Sequence, residues 1–95
     1  MPPEIANLKD LKELHLFRTG LRHLPDEIGK LENLETLVIS SNRLDSLPAT
    51  IGNLKNLKTI SFRHNEIVYL PSEIGNLHNL GELRLSHKKK VKPIL

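Results

Sequence analysis

A Leu-Pro pair recurs at a fixed interval along this chain of 95 residues, at Leu24-Pro25, Leu47-Pro48 and Leu70-Pro71. Each pair follows the previous one by 23 residues, and Met1-Pro2 falls in the same register. A period of this length is typical of repeat architectures, in which each unit stacks on its neighbours. The sequence therefore predicts four units followed by a C-terminal tail, with the units at residues 1–23, 24–46, 47–69 and 70–87 and the tail at residues 88–95.

Apolar residues occupy the same positions in successive units. One unit of 23 residues cannot enclose seven such side chains by itself, whereas stacked units can because each covers the apolar layer of the next. In the second unit these residues are Leu24, Ile28, Leu31, Leu34, Leu37, Ile39 and Leu44, and in the third they are Leu47, Ile51, Leu54, Leu57, Ile60, Phe62 and Ile67.

Each unit has two halves with different periodicity. The alternation in Leu14-His15-Leu16 predicts a strand with one buried face, and stacking makes these strands parallel. The half that begins at the Leu-Pro pair predicts a short helical turn, with proline at its first position. Glycine recurs in this turn at Gly29, Gly52 and Gly75, which indicates a tight backbone passage, and Ala6 is the exception.

Written together, the units follow LPxxIGxLxxLxxLxLxxNxL. This pattern resembles the 23-residue leucine-rich repeats of Ras-group and Scribble-type intracellular proteins and of many bacterial repeat proteins, and the resemblance covers essentially residues 1–87. It implies an α/β fold, a right-handed curved solenoid with a parallel β-sheet on its concave side and short helical turns on its convex side. It also implies a non-enzymatic module or scaffold that binds another protein, with signalling as one setting.

A polar residue follows each predicted strand. Asn42 and Asn65 hold this place in the second and third units, where an asparagine side chain can bond backbone groups of adjacent turns and form a ladder. Thr19 takes the place in the first unit and meets only part of that demand. Lys88 takes it in the fourth and cannot accept a hydrogen bond, so we expect the solenoid to end near Leu85.

Neither end of the predicted stack carries a recognisable cap. Solenoids need polar terminal units to cover their last apolar layer, because half-exposed side chains lose roughly 1 kcal/mol each of burial energy. Three explanations stay open at this point. The chain is an uncapped fragment of a longer repeat protein with no binding activity of its own, it self-associates through its ends, or it is only marginally folded.

The resemblance places the residues between the inward leucines on the concave sheet. Phe17 and a basic group made of Arg18, Arg63, His64, Arg84 and His87 would then suit an acidic, partly apolar protein partner. The alternative is an unselective solvated sheet face. The predicted protein-binding residues are Glu13, His15, Phe17, Arg18, Val38, Ser40, Ser41, Ser61, Arg63, His64, Arg84 and His87, with Thr19, Asn42 and Asn65 as the structural ladder.

Composition and motifs favour a binding role over catalysis. The chain has no cysteine, no Asn-x-Ser/Thr acceptor, no signal peptide and no apolar stretch long enough for a membrane span, so we expect a cytoplasmic location. No catalytic motif occurs, and we expect no cofactor. His64 and His87 hold equivalent places in adjacent units, but no carboxylate shares their column, so we expect no metal site.

The net charge of +3 depends on the tail. Four of the 14 lysines and arginines lie at residues 88–92, and the other ten are outnumbered by 11 acidic residues. No aromatic residue in the lysine run could stack on bases, so we expect no nucleic-acid partner and interpret the run as a frayed tail. A nuclear-import or nucleic-acid element is the competing interpretation.

Overall fold

Short 3₁₀ helices alternate with short parallel strands along the chain. The computed structural model describes residues 3–67, 69–84 and 92–93. Within these residues the 3₁₀ helices are η1 (Pro3–Asn7), η2 (Asp26–Lys30), η3 (Ala49–Asn53) and η4 (Ser72–Asn76). The strands are β1 (Glu13–Phe17), β2 (Thr36–Ser40), β3 (Thr59–Ser61), β4 (Tyr69–Leu70), β5 (Glu82–Arg84) and β6 (Lys92–Pro93).

The main sheet contains β1, β2, β3 and β5 in that order, and every neighbouring pair is parallel. Leu14 lies beside Leu37, which lies beside Ile60, which lies beside Leu83. Each step in this row is one repeat of the sequence period. The predicted solenoid fold, with its inward leucines stacked one above the next, is therefore confirmed.

A second, two-stranded sheet joins β4 to β6. Tyr69 pairs with Lys92 and Leu70 pairs with Pro93, both in parallel. These partners are again one sequence period apart, so the repeat register is kept as far as Pro93. Leu85, where the sequence predicts the solenoid to end, lies outside the described residues, and the boundary at residue 87 stays a prediction.

Backbone hydrogen bonds from one residue to the third residue before it hold the 3₁₀ helices together. In the second unit Ile28 N donates to Pro25 O at 3.1 Å, and Leu31 N donates to Ile28 O at 3.2 Å. Pro25 has an extended backbone, with φ −70° and ψ 154°, and therefore precedes the helix instead of occupying its first position. The fixed φ of proline still helps here, because it sets the direction in which the chain enters the turn.

The apolar layers are sealed in the middle of the stack and open at its ends. Leu31 and Leu37 of the second unit are fully buried, at 0% exposure. Their counterparts in the first unit are not, since Leu8 is 52% exposed and Leu14 is half-buried. At the other end Leu83 is 38% exposed. Among the described residues, Leu8, Leu14 and Leu83 are therefore less covered than the apolar residues of the second unit, and the absence of end caps stays a prediction.

The glycines of the convex turns allow adjacent 3₁₀ helices to touch. A Cβ added to Gly29 would lie 2.6 Å from the Thr50 carbonyl oxygen, and one added to Gly52 would lie 2.7 Å from that of Glu73. Real Cβ atoms essentially never approach other heavy atoms this closely, so a side chain there would force the two turns apart. The same position in the last unit, Gly75, has no described atom within 4 Å.

Candidate functional site

The outward side of the main sheet, which we call the concave face, is arranged in columns that cross the strands. Glu13, Thr36, Thr59 and Glu82 form one column. His15, Val38, Ser61 and Arg84 form the next, and Phe17 lies beside Ser40 in a third. Strand alternation produces these columns, because successive side chains of a strand point to opposite faces.

The central strands of the concave face carry small, partly or fully buried side chains, whereas its first strand carries a large exposed one. On the central strands Val38 and Ser40 are half-buried, and Ser61 is only 7% exposed. Phe17, on the first strand, is 61% exposed. Small residues thus form a floor between larger side chains, and Ser61 offers little area to a partner.

On each edge strand of the described sheet, a glutamate contacts a nitrogen-bearing side chain two residues away. On β1 the His15 Nε2 atom lies 3.1 Å from the Glu13 Oε1 atom, and on β5 the Arg84 Nε atom donates to Glu82 Oε2 at 2.6 Å. All four side chains are exposed, so each pair contributes on the order of 0–1 kcal/mol to stability. Arg84 therefore already has an acidic partner, which lowers the net positive charge of the face.

Phe17 and Arg18 form a stacked pair at one margin of the concave face. The Arg18 guanidinium carbon lies 5.1 Å from the centre of the Phe17 ring, a distance typical of a cation–π contact. Arg63 is exposed, and no ion pair of its side chain occurs among the described residues. The concave face therefore combines the exposed aromatic ring of Phe17 with the positive charge of Arg63, which a partner can contact.

A residue one to three places after each of the first three strands adopts a left-handed backbone. Arg18, Ser41 and His64 have φ values of 54°, 57° and 59°, and they occupy equivalent positions in successive units. Non-glycine residues rarely adopt such angles, because Cβ crowds the following carbonyl. The left-handed turn is therefore a repeated feature of these three units. His87, the fourth member of this predicted column, lies outside the described residues.

Asn42 connects the first unit to the second. Its Oδ1 atom accepts hydrogen bonds from Thr19 N at 2.9 Å, from Thr19 Oγ1 at 2.7 Å and from Leu21 N at 3.1 Å. Its Nδ2 atom donates to Leu16 O at 3.2 Å and to Ser40 O at 3.0 Å. One amide therefore satisfies backbone groups of two units at once, and Thr19 acts as a donor to it.

Asn65 repeats this connection between the second and third units. Its Oδ1 atom accepts from Leu44 N at 3.0 Å, and its Nδ2 atom donates to Ile39 O at 2.6 Å. Asn65 is buried, so a lost bond would leave a polar backbone group without water. No buried side-chain polar atom lacks a partner in the part of the chain that the structure describes.

The structure contains a second asparagine ladder, which was not predicted from the sequence. Asn33, Asn56 and Asn79 each donate from Nδ2 to the backbone oxygen of the residue 24 positions earlier, namely Lys9, Glu32 and Lys55, at 2.8–2.9 Å. These bonds lie on the exposed surface. The signal was in the sequence, because asparagine recurs with the repeat period, but exposed polar residues between leucines resemble ordinary solvated positions.

The described residues hold no candidate metal site. No group of three or more His, Cys, Asp or Glu side chains in residues 3–67, 69–84 and 92–93 is arranged to hold an ion. His64 belongs to this part of the chain, and His87, which holds the equivalent place in the next unit, does not. Within the same residues, no helix has the length and apolar character needed to cross a membrane.

Comparison with known proteins agrees with the architecture. The family profile described as a leucine-rich repeat region matches residues 3–94. Comparison with curated protein sequences gave no match. A solved leucine-rich repeat protein of Leptospira interrogans is 44% identical to the chain with a TM-score of 0.91, and the match covers 98% of this chain and 24% of that one.

Two further solved structures share the fold. The leucine-rich repeat domain of the type III effector XopL is 31% identical with a TM-score of 0.84, over 96% of this chain and 33% of that one. The plant peptide hormone receptor RGFR1, solved in complex with RGF2, is 31% identical with a TM-score of 0.72, over 96% of this chain and 19% of that one. The chain thus spans a third or less of the length of each of these structures.

The profile match, the solved relatives and the in-register stack of strands all point to one family. The family profile extends over nearly the whole chain, and neighbouring strands of the main sheet pair residues one sequence period apart. The chain belongs to the leucine-rich repeat family.

Proposed function

We propose that this chain is a protein-interaction module that binds its partner through the concave face. The observation that carries the proposal is the exposed ring of Phe17, which is 61% accessible and stacked against Arg18 on the outward side of the sheet. Neither side chain packs in the core, so neither is needed there for folding. Leucine-rich repeat domains bind proteins in general, which supports a binding role for this one.

The chemistry of the face favours an acidic, partly apolar partner. Arg18 and Arg63 place positive charge beside the aromatic ring, and aromatic and arginine side chains are enriched at protein interfaces. Arg84 can join them, because its pair with Glu82 is exposed and exchanging that partner for another carboxylate costs little. We propose that the module has no enzymatic activity and needs no cofactor for this task.

A charge-reversal experiment tests the concave face. The double substitution Arg63→Glu and Arg84→Glu should abolish capture of the partner that wild-type chain retains in affinity purification with mass spectrometry. The matched control is Lys30→Glu with Lys55→Glu, which makes the same change in net charge at exposed residues of the convex half. Unchanged capture by the concave variant, or equal loss in the control, would rule out this face.

A fragment of a longer repeat protein is the second candidate. It is favoured by the open layer at Leu8 and by the greater length of the solved relatives, of which the chain covers 24%, 33% and 19%. In that case the chain has no binding activity of its own. Further in-frame Leu-Pro-x-x-Ile-Gly units in the flanking genomic sequence would support it, and a stop codon upstream of Met1 would argue against it.

Two smaller predictions concern the location and the tail. We propose a cytoplasmic location on the basis of the cysteine-free sequence, and cell fractionation tests it.

The side chains of the tail lysines lie outside the described part of the structure. Only the backbone of Lys92 is described, and it pairs with β4. Unchanged localisation and no salt-sensitive binding loss after deletion of residues 88–95 would dismiss a nuclear-import or nucleic-acid role.

A further inference from the structure

Acidic side chains and arginines occupy different columns of the concave face. Glu13 and Glu82 lie in the first column, at the beginning of the strands. The second column, the third column and the column of left-handed residues contain no aspartate or glutamate within the described part of the chain. Each of these three contains an arginine, namely Arg84, Arg63 and Arg18 respectively. Arg84 is paired with Glu82, which leaves Arg63 and Arg18 as the uncompensated charges.

Ser40 and Ser41 lie between these two arginines. Arg18 N donates to Ser40 O at 3.3 Å, which places Arg18 on one side of the serine pair. Ser41 N donates to Arg63 O at 3.0 Å, which places Arg63 on the other side. Neighbouring strands of a sheet lie about 4.8 Å apart, so the backbones of the two arginines are about 10 Å apart with the serines in the gap. Two long basic side chains therefore begin on opposite sides of a small polar floor.

The side chains around this floor have hydrogen-bond donors that no described residue uses. Arg18 is held above the ring of Phe17 at 5.1 Å, a contact that fixes the cation without an acidic partner. Among the described residues, no carboxylate pairs with the Arg18 or Arg63 side chain, and no group bonds the hydroxyls of Ser40 and Ser41. Arginine carries several N–H donors and stays charged at neutral pH, and serine adds an O–H donor. The floor is therefore suited to an anion with several oxygens.

A phosphate monoester matches this set of donors better than a carboxylate does. A carboxylate has a single negative charge, and one arginine satisfies both of its oxygens in a bidentate pair. A phosphorylated side chain carries a charge of about −1.5 to −2 at neutral pH and three strong acceptor oxygens. It can therefore neutralise Arg18 and Arg63 together while it accepts from a serine hydroxyl. Charge complementarity thus favours a phosphate at this place.

The surroundings of the floor favour a peptide as the source of the phosphate. Phe17 is 61% exposed and Val38 is half-buried, so both offer apolar contact to side chains next to the phosphorylated one. A free phosphate ion would leave these contacts unused. An anionic membrane would also meet the exposed carboxylates of Glu13 and Glu82 on the same face, which repel it.

We propose that the floor at Ser40 and Ser41, with Arg18 and Arg63 on either side, recognises a phosphorylated side chain in a peptide segment of the partner. This inference rests on the proposed use of the concave face and names the group that the face binds. Ser40 lies on β2, between β1 and β3, so further repeats before or after these strands would leave the floor in place.

An NMR titration of the full chain with phenyl phosphate tests the floor directly. Saturable shifts are expected at the amides of Ser40 and Ser41 and at the Nε–H groups of Arg18 and Arg63. Benzoate, which has the same ring and a single charge, should bind at least about fivefold more weakly, because it makes fewer charge-assisted hydrogen bonds. Equal affinity for the two compounds, or shifts confined to other residues, would overturn the proposal.

A pair of double variants separates the floor from general positive charge. Arg18→Gln with Arg63→Gln should weaken binding of phenyl phosphate by about tenfold or more, since a hydrogen bond to a charged group contributes about 1.5–3 kcal/mol. The matched control is Arg22→Gln with Arg43→Gln, which removes two exposed arginines outside the concave columns and should leave the affinity unchanged. Equal weakening in the two variants would contradict a specific site.

Phosphatase treatment distinguishes this inference from the proposed function. A phosphatase active on serine, threonine and tyrosine phosphates, applied to the partner before capture, should abolish its retention by the wild-type chain. Retention that survives dephosphorylation but is lost with Arg63→Glu and Arg84→Glu would overturn the phosphate and keep the concave face. Retention that survives both treatments would contradict both proposals. Co-sedimentation with phosphatidylcholine vesicles that contain phosphatidic acid, without phosphatase-sensitive retention, would assign the floor to a membrane and overturn the peptide.

Discussion

Gly52 and Glu73 hold adjacent repeats in direct backbone contact. A Cβ on Gly52 would lie 2.7 Å from the Glu73 carbonyl oxygen and 2.9 Å from its Cβ. The neighbouring atom is main chain, which cannot swing away as the end of a flexible side chain would. The spacing between η3 and η4 therefore depends on the missing side chain at Gly52.

We predict that Gly52→Ala lowers the free energy of unfolding by about 1–3 kcal/mol, the usual cost of overpacking. The matched control is Gly75→Ala, which has open space among the described residues and should change stability by less than about 1 kcal/mol. Urea denaturation followed by circular dichroism, at one fixed protein concentration, measures both. An equal loss at Gly75 would mean that further chain packs against the last 3₁₀ helix.

Asn65 should matter more for stability than the exposed asparagines of the second ladder. Asn65→Ala removes the acceptor for Leu44 N and a donor to Ile39 O, both in a buried setting. We expect a loss of about 2–4 kcal/mol, since each unsatisfied buried group costs about 1–3 kcal/mol. Amide hydrogen exchange at Leu44 should accelerate at the same time.

The control for this prediction is Asn56→Ala, which removes one exposed bond to the Glu32 carbonyl oxygen. Water can replace that bond, so we expect a loss of at most about 1 kcal/mol. If the two substitutions cost the same, the buried ladder does not hold the repeats together more firmly than the surface one.

The left-handed turn after β2 predicts a position-specific effect of β-branched residues. Ser41 has a φ of 57°, where a β-branched side chain is strongly disfavoured. Ser41→Val should therefore destabilise the fold by about 1–2 kcal/mol. Ser40→Val, one residue earlier in β2, should be neutral or stabilising because β-branched residues suit strands. Thermal unfolding of the two variants decides, and similar melting temperatures would contradict the role of the backbone angle.

The period of the sequence was sufficient to predict the register of the sheet. Leu14, Leu37, Ile60 and Leu83 are one period apart, and only a parallel stack places such residues side by side. The interior ladder could be anticipated for the same reason, because an asparagine at the end of a strand has few other roles. The contact between Glu13 and His15 also follows from strand alternation, although it was not predicted.

Other features could not be predicted from residue types alone. Nothing in the identity of Arg18, Ser41 or His64 marks a left-handed backbone, since glycine is the usual signal and none stands there. The burial of Ser61 depends on the side chains that surround it, which the pattern of leucines does not specify. The partner of the concave face is not encoded in the repeat, because the repeated residues are the buried ones.

The difference in exposure between a middle and an edge strand predicts that truncating two residues of the same interior row has different costs in stability. Ile60 is fully buried between two neighbouring strands, whereas Leu83, its neighbour in the same row, is 38% exposed on the edge strand. Ile60→Ala should cost about 2–5 kcal/mol, since it leaves a cavity that the stack cannot fill. Leu83→Ala should cost about 1 kcal/mol or less, because that side chain is still partly exposed to water in the folded state.

Where Ile60→Ala fails to fold, Ile60→Val should still lose about 0.5–1.5 kcal/mol in urea denaturation. Equal costs for Ile60→Ala and Leu83→Ala would show that the last layer is covered as completely as the middle one.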